Sequence, residues 1–264
     1  MLQEKLELTT EEVLETPEDS KANRSGALLR TVVIIPARNE QDSIAKVLKD
    51  LPTVGMVVVV DNGSTDNTAK LAAEAGATVV REEVPGYGQA CWTGIEFVQE
   101  NAPNLSFAPD YIAFLDADYS DHPELLSELV HPIHQDEYDF VLGSRLLGKR
   151  EKGAMPAQSV WGNRLAVFLM KLFWKHRYTD LGPFRAIHRN CLIDLDMQDR
   201  NFGWTVEMQI KAVVANLRIR EVPVPYRVRI GTSKISGTIS GTIRAGYKIL
   251  YTIGKYRWQL GPRR

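Results

Sequence analysis

Cysteine is scarce in this chain: Cys91 and Cys191 are the whole supply, far apart and in no metal-type spacing. A disulfide framework is not supported, and a reducing compartment is the expected setting. An excess of one charge is also missing. Lys and Arg number 32 against 33 for Asp and Glu, a net charge of −1, so the chain as a whole exerts no pull on nucleic acid. No uninterrupted apolar run approaches the roughly 20 residues of a membrane-spanning helix. The N-terminus lacks the basic-then-apolar pattern of a secretory signal. Residues 31–235 hold neither an internal repeat nor a low-complexity linker. What remains is an ordinary globular composition in 264 residues, enough for one substantial α/β core and little more.

The even balance hides an asymmetry. In residues 1–20, Glu4, Glu7, Glu11, Glu12, Glu15, Glu18 and Asp19 face only Lys5. Residues 1–30 are therefore expected to form an acidic, solvated and flexible arm. From Arg218 onward the order reverses. Arg218, Arg220, Arg227, Arg229, Lys234, Arg244, Lys248, Lys255, Arg257, Arg263 and Arg264 face only Glu221. That end suits an anionic partner such as a phosphate or a lipid headgroup, and it contains no nucleic-acid reader motif.

Between these ends, short β-branched runs alternate with helical patterns. TVVIIP ends at Pro36, MVVVVD at Asp61, and Tyr111–Leu115 runs into Asp116; Thr78–Arg81 and Phe140–Leu142 read as further strands. Helical segments are expected through Ile44–Leu51, Ala69–Ala75, Gly86–Gln99, His122–His134, Val160–Trp174 and Gly203–Asn216. Asp180–Arg185 reads as a turn and Val222–Pro225 as extended. Continuous apolar strands in βαβα order predict a mostly parallel sheet with helices on both faces. Ligands of such sheets bind beyond the carboxyl ends of the strands, where Pro36, Asp61 and Asp116 all fall.

Asp116-Ala117-Asp118 follows a buried strand directly. In extended backbone, residues two apart point the same way, so both carboxylates can meet one ion. Hard oxygen ligands suit Mg²⁺ or Mn²⁺, whose remaining positions are filled by water and substrate phosphates. Gly86 and Gly88 permit close backbone approach to a ligand or a plain loop-to-helix junction. Arg145, Arg164, Arg185, Arg229 and Lys234 are candidate cations for a ligand phosphate, each also able to serve as an ordinary surface ion pair. Glu207 is a candidate hydroxyl ligand or auxiliary base, or a first-turn carboxylate favoured by its helix dipole.

PARNE (36–40), VVVDNGSTDNT (58–68), GYGQACWTG (86–94), FLDADYSDHPE (114–124) and DFVLGSR (139–145) resemble, in order and spacing, the successive motifs of family 2 glycosyltransferases. TDLGPFRAI (179–187), GWTVEMQIKA (203–212) and VRIGTSKISG (228–237) resemble the branch with dolichyl-phosphate mannose and glucose synthases. The resemblance implies a GT-A fold of the nucleotide-diphospho-sugar transferase type over residues 31–237. It implies that Pro36, Arg38, Glu40, Asp116 and Ala117 line the nucleotide pocket and that Asp61 receives the base. Taken locally, Asp61 could instead be an Asx-turn or a helix cap before Ser64 and Thr65. Asn62 stands where relatives often carry a second acid, and Ser120 where the mannose-synthase pattern often carries Gln. Asp116 and Asp118 would hold the metal, and Asp118, Arg145 and Glu207 are the residues expected to carry catalysis.

Residues 238–264 read as a basic amphipathic tail. Ile239, Ile243, Gly246, Leu250 and Ile253 fall on one helical face; Arg244, Lys248, Tyr251 and Lys255 fall on another. Such a helix suits a bilayer interface, or packing on the catalytic domain or within a homo-oligomer. The expected activity is metal-dependent, inverting transfer of a hexose to a polyprenyl or dolichyl phosphate. UDP-glucose is the favoured donor and GDP-mannose the alternative. The expected location is the cytoplasmic membrane face, held peripherally by the tail or by a membrane partner protein. The competing expectations are a soluble small-molecule acceptor and a non-catalytic nucleotide-sugar-binding subunit.

Overall fold

The computed structural model describes residues 24–231 and 239–260. The expected arm up to residue 23, Lys234, Arg263 and Arg264 lie outside the described residues. Residues 24–29 form a short helix (α1) with Ala27 and Leu28 buried. The folded body therefore begins before the expected boundary at residue 30. There follow β1 (Thr31–Ala37), α2 (Ile44–Asp50), β2 (Met56–Asp61), α3 (Thr68–Glu74), β3 (Thr78–Arg81), α4 (Tyr87–Asn101), β4 (Tyr111–Phe114), α5 (Leu126–His134) and β5 (Phe140–Ser144). The chain continues with α6 (Ala157–Trp174), β6 (Arg185–His188), α7 (Arg189–Asp194), α8 (Trp204–Val214), β7 (Ile219–Pro223) and α9 (Ile239–Leu260).

The seven strands form one sheet in the order β3-β2-β1-β4-β6-β5-β7, parallel except where β6 runs against β4 and β5. Alternate residues feed opposite cores. Val32, Ile34, Val58, Val60, Ile112 and Phe114 face α4, α6, α8 and α9. Val33, Ile35, Val59, Ala113 and Leu115 face α1, α2, α3 and α5. This three-layer arrangement is why the strands read as unbroken apolar runs: both of their faces are dry. In the second half, β6 and α7 were not anticipated, and β7 overlaps the expected extended segment only at Val222–Pro223. β6 takes over at the end of the expected turn, and its four residues are too short to show a period. β7, at the sheet edge, has Val222 as its one buried residue.

Register places the functional edge. Ala37 pairs with Asp61 across β1 and β2, and Ile34 with Phe114 across β1 and β4. Arg38 and Asn62, just after β1 and β2, and Asp116, two residues beyond β4, therefore leave the sheet at the same edge.

Of the alternatives open for the tail, the structure shows a helix packed on the domain. α9 lies on α8 and α6, and Thr252, Ile253 and Tyr256 are buried. Among the described residues no helix is long and apolar enough to cross a membrane.

α4 approaches the sheet through Gly94, where a Cβ would lie 2.5 Å from Ile34 Cγ2 and 3.2 Å from Val60 Cγ2. Gly94→Val should cost about 1–3 kcal/mol through overpacking, read as a lower urea midpoint. An unchanged midpoint would show that another contact sets this spacing.

Candidate active site

The segments after β1, β2 and β4 enclose a cleft of about 400 Å³. Pro36, Ala37, Arg38 and Glu40 line it from β1, Asn62 from β2, and Asp116, Ala117 and Asp118 from β4. Gly86 and Tyr87 close one side, Asn201 and Phe202 another, and Arg229 and Arg244 reach in from the C-terminal part. Two of the turns use left-handed backbone without glycine: Asn39 at φ 53° and Tyr119 at φ 63°. These uncommon conformations re-aim the chain at the strand ends. Asn39 is held by Ser64 and Thr65.

The carboxylates are unequally supported. Asp118 accepts the Ser120 amide N–H at 2.9 Å and the Ser120 hydroxyl at 2.5 Å on one oxygen. Its other oxygen lies 3.1 Å from the Arg229 guanidinium. Arg229 also donates to Glu40 at 2.9 Å and so ties the β1 and β4 ends together. It reaches them because Ile230 N–H donates to the Asp118 carbonyl and Arg227 N–H to the Ser120 carbonyl. Asp116 bonds to Tyr87, yet its Oδ1 is buried with no partner among the described residues. Burial and the adjacent Asp118 charge push its carboxyl up to about 7. Asp121 is also buried, and its oxygens lack close hydrogen-bond partners among the described residues. Burial and the Asp116 charge hold it well above the usual carboxylate range.

An unsatisfied carboxylate oxygen beside a second carboxylate in an open cleft fits a hard divalent cation. Among the described residues no third His, Cys, Asp or Glu completes a closed ligand set. That suits an ion sharing its sphere with water and a diphosphate.

Other expected site residues are placed differently. Asp61 is buried, does not line the cleft, and accepts the Ser64 N–H, three residues on, at 3.1 Å; this is a local cap-like bond. Asn62 donates to the carbonyls of Glu82 and Val84 and accepts from the Gly86 N–H. An acid could not make those donations. A Cβ at Gly86 or Gly88 would strike the carbonyls of Arg200 or Asp199. The close backbone approach at these glycines is thus to the 199–201 loop, although Gly86 also lines the cleft. Arg145 grips Asp180 with Nε and Nη2 at 2.7 Å each. Burial alone would raise Asp180; the guanidinium outweighs it and holds that carboxyl below its usual range.

Arg185, expected to meet an acceptor phosphate, is instead a core residue, its guanidinium spent on the carbonyls of Leu181, Gly182 and Thr205. Arg164 is exposed on α6, outside the cleft lining.

Glu207 is not available as a base. It has no exposure and takes the amide N–H of Gln198 at 2.8 Å and of Asp199 at 2.6 Å. It also accepts the Tyr256 hydroxyl and pairs with Lys211 at 2.9 Å. Its work is to bind the 198–199 loop and α9 to α8. Tyr87, Asn201, Phe202 and Arg244 were not foreseen as lining the cleft. Only Arg244 carried a sequence signal, as part of the basic tail.

A model of glycosyl transferase family 2 matches residues 32–195. An uncharacterized glycosyltransferase of Mycobacterium tuberculosis is 35% identical over 222 residues, 81% of this chain and 93% of that protein. A dolichyl-phosphate hexose transferase of Haloferax volcanii is 33% identical over 221 residues, 79% and 88% respectively. Among solved structures, glucosyl-3-phosphoglycerate synthase of M. tuberculosis, in complex with Mn²⁺, UDP and phosphoglyceric acid, superposes with a TM-score of 0.67. Identity there is 21%, covering 96% of this chain and 86% of that one. This likeness shows the fold.

Two predictions follow from the geometry. Glu207→Ala should cost about 3–5 kcal/mol, because it leaves Lys211 and several buried donors unpaired; urea unfolding measures it. Lost turnover at unchanged stability would instead restore a catalytic role. Asp116 has a folded-state pKa above its ordinary 3.8, so the folded protein keeps a proton that the unfolded chain has released. That contribution to stability is present at low pH and is lost as pH rises from about 3.8 to about 7. Asp116→Asn should therefore raise Tm in metal-free buffer above about pH 7, and raise it less in acid. An equal rise at both would contradict the assignment.

Proposed function

The chain belongs to glycosyl transferase family 2, and we propose that it moves a hexose from a nucleotide sugar to a polyprenyl or dolichyl phosphate, with inversion. It is a glycosyltransferase of GT-A fold. The observation that carries the acceptor class is the absence of a spare base. Among the described residues lining the cleft, the acids are Glu40, Asp116 and Asp118. Glu40 is paired with Arg229, and the aspartates are the metal candidates. A hydroxyl acceptor requires a general base. A phosphate monoester, with a second pKa of about 6, arrives largely dianionic and needs none. Arg229 and Arg244 supply cations in the cleft.

The donor's nucleotide would lie along Pro36, Arg38, Asn62 and Gly86, with UDP-glucose favoured and GDP-mannose the alternative. Asp116 and Asp118 would hold Mg²⁺ or Mn²⁺, which neutralises charge gathering on the departing diphosphate. An acceptor phosphate oxygen bonds to the anomeric carbon as the bond to the diphosphate breaks. The nucleoside diphosphate leaves with the electron pair, and one displacement inverts the centre. The dolichyl-phosphate enzyme among the relatives supports a lipid acceptor. The place of action in this reading is the cytoplasmic membrane face, with peripheral attachment.

The test is transfer from labelled nucleotide sugars to polyprenyl phosphate in detergent, with Mn²⁺ or Mg²⁺. Label is expected in the organic phase. Label confined to a soluble phosphorylated acceptor such as phosphoglyceric acid would overturn the lipid reading. Asp118→Asn, which keeps an acceptor for Ser120, should lower transfer by about 100-fold or more with an unchanged circular dichroism spectrum. Retained metal-dependent transfer would remove Asp118 from the metal site.

A further inference from the structure

The outer face of α6 has no role in the cleft, yet it is built for contact. Trp161, Phe168 and Leu172 stand at i, i+7 and i+11, which is one helical face, and they are 71%, 59% and 60% exposed. The opposite face, Ala166, Met170 and Trp174, is buried. α9 repeats the pattern. Tyr247, Tyr251 and Trp258 point outward, Trp258 at 87% exposure, while Thr252, Ile253 and Tyr256 point inward. Both helices pack on α8 and on each other, with Arg257 of α9 over the Phe173 ring of α6 at 5.6 Å. Their outward faces therefore share one side of the molecule.

We propose that these two faces form a single docking surface for the anionic headgroups of a lipid bilayer, with Trp161, Phe168 and Leu172 as apolar anchors. Charge selects this occupant. Neither helix contains an Asp or Glu, and the chain has none from Lys152 to Thr179 or after Glu221. Arg164, Lys171 and Lys175 are exposed on or just after α6, and Arg244 is exposed on α9. An apolar stripe with aromatic residues, on helices that carry cations and no acids, suits the boundary between headgroups and acyl chains. A second copy would meet this face with the same face in a two-fold dimer, cation against cation.

Arg244 belongs both to α9 and to the cleft lining, so the surface adjoins the cleft mouth. The proposal deepens the lipid-acceptor reading and rests on it only for this last step, in which an embedded acceptor would present its phosphate at headgroup depth. Arg164, outside the cleft, then meets headgroups rather than the acceptor.

Co-sedimentation of the whole chain with phosphatidylglycerol–phosphatidylcholine vesicles tests the surface, with phosphatidylcholine alone as comparison. The wild type should pellet with the anionic vesicles. The triple variant Trp161→Ser, Phe168→Ser, Leu172→Ser should bind them at least about tenfold more weakly at unchanged Tm. The variant should keep its transfer to a short prenyl phosphate free in solution and lose transfer to a long-chain acceptor embedded in vesicles. Absence of wild-type binding to anionic vesicles, or equal binding by the variant, would overturn the proposal. So would a wild-type dimer, seen by light scattering, that the variant splits without any effect on lipid binding. Should no lipid phosphate be glycosylated by either protein, the acceptor reading fails while vesicle binding still decides the docking surface.

Discussion

Glu207 is a carboxylate with no access to water, and the cleft's far wall depends on how it is satisfied. An unpaired charge at that depth would be costly. It takes the backbone N–H groups of Gln198 and Asp199, the Tyr256 hydroxyl and the Lys211 ammonium. Asp199 is then in position to accept from Asn201 and Gly203 and to pair with Lys248 of α9 at 2.9 Å. The same loop presents Asn201 and Phe202 to the cleft and packs its backbone against Gly86 and Gly88. The start of α4, one cleft wall and the C-terminal helix thus share one buried acceptor.

The opposite side of the cleft concentrates negative charge instead of dispersing it. Asp116, Asp118 and Asp121 lie within one short turn, and protein cations answer them only in part. Arg229 reaches Asp118, and Arg145 is committed to Asp180. A structure selected for stability alone would not leave buried carboxylate oxygens without donors. A site that must receive a cation and a diphosphate gains from this imbalance, because binding energy is available from groups the protein leaves unsatisfied. Arg229, bridging Glu40 and Asp118, holds the two strand ends in register meanwhile.

The second half of the chain does a different kind of work from the first. The parallel strands and their turns build the donor side. β6 extends the sheet, and α6, α8 and α9 form a layer on it that supplies a cleft cation, closes the cleft and turns a basic apolar surface outward. The contact between α9 and α8 makes the C-terminal helix part of the catalytic body, so a group touching its outer face lies one helix away from the cleft.

The sequence by itself determined the parallel sheet, the order of the strands' turns and the carboxylate pair at a strand end. These are local properties: a strand buried on both faces reads as an apolar run, and residues two apart in extended chain share a direction. The family motifs are local in the same sense. The tertiary structure decided which charged residues are free to act. Arg185 and Glu207 carry the same formal charges as a phosphate-binding Arg or a catalytic Glu, and nothing near them in sequence says that one is spent on carbonyls and the other on Tyr256. Arg145 looked available until Asp180 was seen beside it, and α9 stood open between a bilayer interface and packing on the domain until Tyr256 was seen buried. Each of these outcomes rests on burial and pairing between segments distant in the chain, and such partners are set by packing, not by the local pattern of residues.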